Sequence, residues 1–422
     1  MAFTSPRHHH GSAGSSCRSR LAAFFGGLLL FFVLYWTHIS ATNLSMLTAV
    51  ASPGFKGHQS DQSSQSSRST PLVEGSTATA TYKPAPVEAF IMSHTEELQM
   101  TAKPPAFVKT CTIWHDPKAS PYYKQLHAFA RELKEYYRRL DAFQLDPGII
   151  GDLRRSLPPE SSSSSEDHAK FCQQLELHPD GLAAIFETSG QLSQTTAGYV
   201  EPLIPPMRHP GLCLEDDVGT GTKKMHILLS LDYLIHDWAE LCRQLKPTSR
   251  TVFIDMGASL MFFERETHQD RSPSLKLLDD FRKFGFVFDH IYAYELRQQV
   301  AAEVYKHVPL PYQSAFHWVN VGVSADPTSI FNPFKMLLES FTENDLIIVK
   351  LDIDSPDIER ALAEQLRQNP ALLDLIDHFY FEHHVNQYEI KNHWGPTKES
   401  VEESFQLFTS LRQRGVAAHF WV

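Results

Sequence analysis

From residue 251 onward, short apolar runs alternate with stretches whose apolar positions recur at helical spacing. The runs predict strands over 251–256, 290–294, 318–323, 346–351, 378–381 and 417–421. The intervening stretches predict helices over 274–284, 298–306, 357–368 and 401–415. Strands and helices that alternate in this way read as βαβ units around a parallel sheet, so residues 251–422 are expected to form a doubly wound, Rossmann-like α/β domain. Ahead of it the texture differs. Residues 122–143 place Leu126, Phe129, Ala130, Leu133, Tyr137 and Leu140 on one helical face. Residues 225–245 predict a second long helix, stopped by Pro247. Five consecutive serines within 158–167 predict a surface loop. Residues 106–250 are therefore expected to be a mainly helical region.

Residues 21–36 (LAAFFGGLLLFFVLYW) carry no charge. As a helix they cover about 24 Å, and residues 37–40 extend them toward a span of about 30 Å. Tyr35 and Trp36 suit an interfacial helix end. Arg7, Arg18 and Arg20 precede the segment without any acid. The positive-inside rule then puts residues 1–20 in the cytosol and everything after residue 40 on the far side. The expectation is a single-pass type II membrane protein with a signal anchor over 21–40. The short span favours the thin membranes of the endoplasmic reticulum or Golgi. Residues 41–105 are expected to be a stem, rich in Ser, Thr and Gln up to Tyr82 and extended chain beyond it. Globular character is expected from about Cys111. Under this topology Cys111, Cys172, Cys213 and Cys242 lie in the lumen, where four cysteines allow two disulfides in any of three pairings.

Charge narrows the function classes. Thirty-eight Lys and Arg against forty-nine Asp and Glu leave a formal net charge of −11. That opposes attraction to a phosphate backbone, so no nucleic-acid partner is expected. The histidines and cysteines do not follow zinc-finger spacing.

In a doubly wound sheet, ligands bind beyond the carboxyl ends of the strands, so the residues that close each strand carry the chemistry. The first strand closes with Asp255, Gly257 and Ser259. The second closes with Glu295, a carboxylate able to accept ribose hydroxyls, or else to serve a solvated helix start beside Arg297. The fourth closes with Asp352 and Asp354 just after Lys350. Asp354, ahead of Pro356 and Asp357, could equally belong to an ordinary helix N-terminus. The fifth closes with Glu382, His383 and His384.

With these strand ends in order, residues 251–422 resemble the FkbM-type family of S-adenosylmethionine-dependent methyltransferases. The matching stretches are FIDMGASLMFFE, YAYEL, NVGVSAD, IIVKLDIDSPDIERALAEQL, FYFEHHV and SFQLFTSLRQRGVAAHFWV. The resemblance implies a methyltransferase-type sheet that takes S-adenosylmethionine at its first two strand ends. It implies Asp255, Gly257 and Ser259 as the cofactor loop and Glu295 as the ribose acid. Asp352, Asp354 and Asp357 would line the acceptor side. His383 or His384 would be the base that takes a proton from a hydroxyl or carboxyl acceptor, with Asp352 as second choice and Glu382 beside them. The sequence departs from the family where Gly257 is followed by Ala258-Ser259-Leu260-Met261 without a second glycine. It departs again where Asp354-Ser355 replaces Glu-Gly.

A lumenal methyltransferase acting on a glycan or small molecule is the first reading. A type II anchor, a stem and Asp352-Ile353-Asp354 also match a Golgi glycosyltransferase, whose two carboxylates would hold Mn²⁺ on a nucleotide-sugar. A non-catalytic protein on a methyltransferase scaffold is the third reading, and the altered glycine loop is its support.

Overall fold

The computed structural model describes residues 82–94, 109–143, 145, 149–150, 162–176, 189–192, 198–204, 211–214, 225–258, 272–395 and 397–422. The expected anchor, most of the stem and Ser259 lie outside them. No helix among the described residues is long and apolar enough to cross a membrane.

The folded body starts earlier than the composition suggests. Strand β1 (Tyr82–Lys83) and helix α1 (Pro86–Met92) belong to it, and Val87, Glu88, Phe90 and Ile91 of α1 are buried. Helix α2 (Ser120–Ala142) follows as expected and buries the predicted apolar stripe except Ala130, which is half-buried, and adds Tyr136 to it. Helix α3 (Ser162–Gln173) contradicts the loop expected there. Serines favour helix N-termini, and Cys172 at the far end is tied to Cys242. Strands β2 (Gly190–Leu192) and β3 (Tyr199–Val200) join β1 in a small antiparallel sheet of order β1-β2-β3.

The long helix expected over 225–245 is broken. One turn covers Met225–Leu228, and helix α4 covers only Trp238–Gln244, with Asp237 as its N-cap. Between them Leu231, Tyr233, Leu234 and Ile235 are all buried. The Tyr137 hydroxyl contacts the carbonyls of both Leu231 and Leu234, and Ile235 N–H donates to Glu201. Partners outside the segment thus take the backbone groups that a helix would have used.

The remaining chain builds the large sheet. Strand β4 (Thr251–Met256), helix α5 (Pro273–Lys283), strand β5 (His290–Tyr294), helix α6 (Ala301–His307), strand β6 (Phe316–Val319), helix α7 (Pro333–Ser340) and strand β7 (Leu346–Leu351) come first. Helices α8 (Pro356–Gln368) and α9 (Pro370–Leu375), strand β8 (His378–Phe381), helix α10 (Val401–Gln413) and strand β9 (Ala417–Phe420) complete it. The six strands lie in the order β6-β5-β4-β7-β8-β9, all parallel. This is the doubly wound order, and the chain reverses direction between β4 and β7. Every residue of β4 and of β7 is buried, which is why both read as unbroken apolar runs with only Asp255 and Lys350 interrupting them.

Candidate functional site

Register creates the centre of the site. Parallel pairing of β4 with β7 sets Asp255 beside Lys350. The ammonium lies 3.0 Å from Asp255 Oδ1 and 3.0 Å from Asp352 Oδ2, and it donates to Gly257 O at 3.1 Å. Neither Asp255 oxygen receives a well-aligned hydrogen bond, so this contact is ionic. Burial would lower the Lys350 ammonium, but Asp255 and then Asp352 outweigh it and raise it. Asp255 is therefore sealed into the floor beneath the strand ends and does not face a ligand.

Gly257 turns the chain out of β4 with φ of +92°. A Cβ there would lie 1.5 Å from Asp352 O, so glycine is required where this turn crosses the end of β7. The N–H groups of Gly257 and Ala258 both donate to Tyr294 O, at 3.0 and 2.9 Å. These two amides are thus spent on joining the β4 turn to β5. Glu295 follows Tyr294 directly and is half-buried. Its Oε1 accepts from Arg297 N–H at 2.6 Å, and Oε2 has no partner among the described residues. The test of fit for a nucleoside cofactor is then divided. The Glu295 carboxylate keeps one oxygen for ribose hydroxyls, whereas the two described amides of the Gly257 turn are already taken.

The ends of β7 and β8 form the second half. Glu382 N–H donates to Leu351 O, which carries the register onward and puts Asp352 next to Glu382. Burial pushes the Asp352 carboxyl up to about 7; Lys350 opposes that shift and Glu382 adds to it. Its side chain still keeps 23% of its surface open. Glu382 is held at both oxygens, by His384 Nε2 at 3.1 Å and by Trp394 Nε1 at 3.0 Å. Burial works against a charged His384, but Glu382 overcomes it and raises the imidazole. Asp354 sits at φ of +54°, a conformation that Asp tolerates better than most residues. It is exposed, and a carboxylate oxygen of Asp354, one of Glu382 and a ring nitrogen of His384 lie within 4.8 Å of one another. Asp357, on the first turn of α8, is also exposed.

Side chains alternate along β8, so 378, 380, 382 and 384 share one side and 379, 381 and 383 the other. His383 accordingly leaves the cluster. It stacks on Phe381 with ring centroids 4.8 Å apart and bonds Ser404 of α10 through Nδ1 at 2.8 Å. Burial holds it down to about 3. Of the two candidate bases, only His384 stands at the cluster.

Two participants, Trp394 and Glu359, lie away from the strand ends and gave no signal in the sequence. Trp394 orients Glu382 from outside the sheet. Glu359, in α8, is buried, and its Oε1 accepts from Ile353 N–H at 2.8 Å. Lys350 was visible but without a role until the register supplied one. No known protein family, curated protein or solved structure matches this chain. The geometry therefore carries the functional reading.

Proposed function

We propose that this protein is a membrane-tethered, lumenal transferase that moves a methyl group from S-adenosylmethionine to a hydroxyl or carboxyl of a glycan or small molecule. The observation that supports it is the division of the strand ends at the point where the chain reverses. On the β4–β5 side stands one half-buried carboxylate, Glu295, with an oxygen to spare. On the β7–β8 side stand Asp352, Asp354, Glu382 and His384. A nucleoside fits the first half and a polar acceptor fits the second.

Bound S-adenosylmethionine supplies an electrophilic methyl group. The chain's own residues do the rest. Glu295 Oε2 accepts from the ribose hydroxyls and fixes the nucleoside against β5. Asp352, open to solvent and steadied by Lys350, takes the proton from the acceptor hydroxyl, and His384 is the alternative base. Asp354 and Glu382 orient the acceptor, which converts an encounter into a positioned reaction. Disulfides Cys111–Cys213 and Cys172–Cys242 suit the oxidising lumen that the charge asymmetry around residues 21–36 predicts.

Titration calorimetry of the full chain with S-adenosylmethionine tests this reading. Micromolar binding is expected, weakened at least tenfold in Glu295→Ala. Absence of binding by the folded wild type sinks it.

A glycosyltransferase reading has one observation in its favour, the cation-capable set Asp354, Glu382 and His384. It does not use Asp352-Ile353-Asp354 as a pair, because the donors that converge among the described residues are Asp354, Glu382 and His384. Mn²⁺-dependent binding of a nucleotide-sugar, in place of S-adenosylmethionine, would favour it.

A further inference from the structure

The acceptor half of the cleft contains a donor set with the chemistry of a metal site. Glu382 Oε2 and His384 Nε2 are already 3.1 Å apart. That is about the separation of neighbouring donors around a cation bonded at roughly 2.1 Å. Both side chains are held from behind. Trp394 donates to the other Glu382 oxygen, and its ring stacks on His384 with centroids 5.1 Å apart. Such outer partners fix the direction of a ligand before the metal arrives. Asp354 completes the set within 4.8 Å. Opposite donors around such a cation stand about 4.2 Å apart, so only the exposed Asp354 carboxylate has to swing inward.

A separate observation points the same way. Glu359 is only 1% exposed, and its Oε2 is buried without a hydrogen-bond partner. This carboxylate interacts electrostatically with both His384 and Glu382. A buried carboxylate with one unsatisfied oxygen, beside two more carboxylates, is costly unless positive charge is supplied. His384 is the one basic side chain among these four residues.

We propose that Asp354, Glu382 and His384 bind one divalent cation, with Glu359 as an outer carboxylate that adds negative charge behind it. Two carboxylates and one imidazole suit Mn²⁺ or Zn²⁺ better than Ca²⁺ or Mg²⁺, which prefer all-oxygen sets. Three protein donors leave positions open toward the cleft, so the cation would take a hydroxyl or carboxyl oxygen of the acceptor. That role rests on the function proposed above, but binding of the cation does not.

The test is Mn²⁺ binding to the chelator-treated full chain, followed by the paramagnetic resonance signal of free Mn²⁺ and by quenching of tryptophan fluorescence. One equivalent is expected to bind with a dissociation constant below about 100 μM, and Zn²⁺ should displace it. Asp354→Asn, Glu382→Gln and His384→Ala should each weaken binding tenfold or more. Asp354→Asn is the variant least able to harm folding, since the side chain is exposed and Asn accepts the same backbone conformation. Bound Mn²⁺ should raise the unfolding temperature of the wild type and leave that of Asp354→Asn unchanged. Binding that survives all three substitutions overturns the proposal, as does absence of binding. Loss of binding in His378→Ala with the three ligands intact also overturns it, because the cation would then sit in the buried His236, His378 and His419 cluster. Mn²⁺ binding without S-adenosylmethionine binding would keep the site and remove the methyltransferase reading. The opposite result would do the reverse.

Discussion

Lys350 carries the electrostatics of the cleft floor. It is the sole cation in contact with Asp255 among the described residues, and Asp255 is 1% exposed. Removing the ammonium leaves a carboxylate that neither water nor a well-aligned donor can solvate. Lys350→Met is therefore expected to cost about 3–5 kcal/mol in urea denaturation at neutral pH. Adding Asp255→Asn should recover part of that loss, because a neutral amide is cheaper to bury than an unpaired charge. A loss below about 1 kcal/mol would show that the pair does not hold β4 to β7. Gly257 belongs to the same scale. Its positive φ serves a crossing of two backbones, so the residue is structural here whatever ligand lies above it.

Among the elements, α10 and α1 are joined by a polar network that no local pattern announces. Arg412 of α10 is fully buried. It donates to Ala418 O, to Tyr82 Oη, and to both the carbonyl and carboxylate of Glu201. Glu88 of α1 approaches it at 3.7 Å and accepts from the Tyr82 hydroxyl. Glu201 also meets His419 Nδ1 at 2.8 Å, so β9, α10 and the segment from Tyr82 to Met92 share one set of charges. Arg412→Ala should cost about 3–5 kcal/mol, since two carboxylates stay behind in the interior. Arg412→Met combined with Glu88→Gln and Glu201→Gln should cost less than the single change. If the triple variant were no more stable than Arg412→Ala, uncompensated charge would not be the cause.

At the scale of the molecule, two disulfides brace the region ahead of the large sheet, closing 102- and 70-residue separations. Loop-closure entropy puts each at about 4.5 kcal/mol. Beneath that region lies a cluster of imidazoles. His378 bonds His419 at 2.9 Å and His236 bonds Tyr380, while Glu201 and Lys276 act on the cluster from neighbouring elements. Burial holds His236 and His378 well below the usual histidine range, so both are neutral when folded. The unfolded chain binds those two protons near pH 6.5. Their contribution is thus complete above that pH and is lost as pH falls below it. Each adds a slope of up to about 1.4 kcal/mol per pH unit. Buried Glu88 and Asp280, both raised mainly by burial, act in the opposite sense, so the informative quantity is a difference. Between pH 6 and 5, His378→Phe should flatten the fall in stability by about that slope relative to the wild type. An unchanged slope would mean that His378 is already protonated in the folded chain.

The large sheet was legible in the sequence because β4, β7, β8 and β9 are buried on both faces and the helices on one, and burial writes those periods directly into composition. Strands β4, β5, β7 and β8 begin and end where the apolar runs do. The strand ends also marked Asp255, Glu295, Asp352, Asp354 and Glu382 as the residues to watch. His383 and His384 stood as equal candidates there, and only their partners, Ser404 for the first and Glu382 for the second, separated them. What only tertiary structure decided is which of these groups meet. Pairing of β4 with β7 turned Asp255 and Lys350 into a sealed ion pair, and pairing of β7 with β8 brought Asp352 to Glu382. The segment after Leu228 reads as a helix by period, yet Tyr137 and Glu201 take its backbone groups and hold it open. Residues 82–94 read as stem by composition, yet a buried network claims them. Local pattern reports how much of a residue is covered, but the partner that covers it is far away in the chain, and register and packing alone choose it.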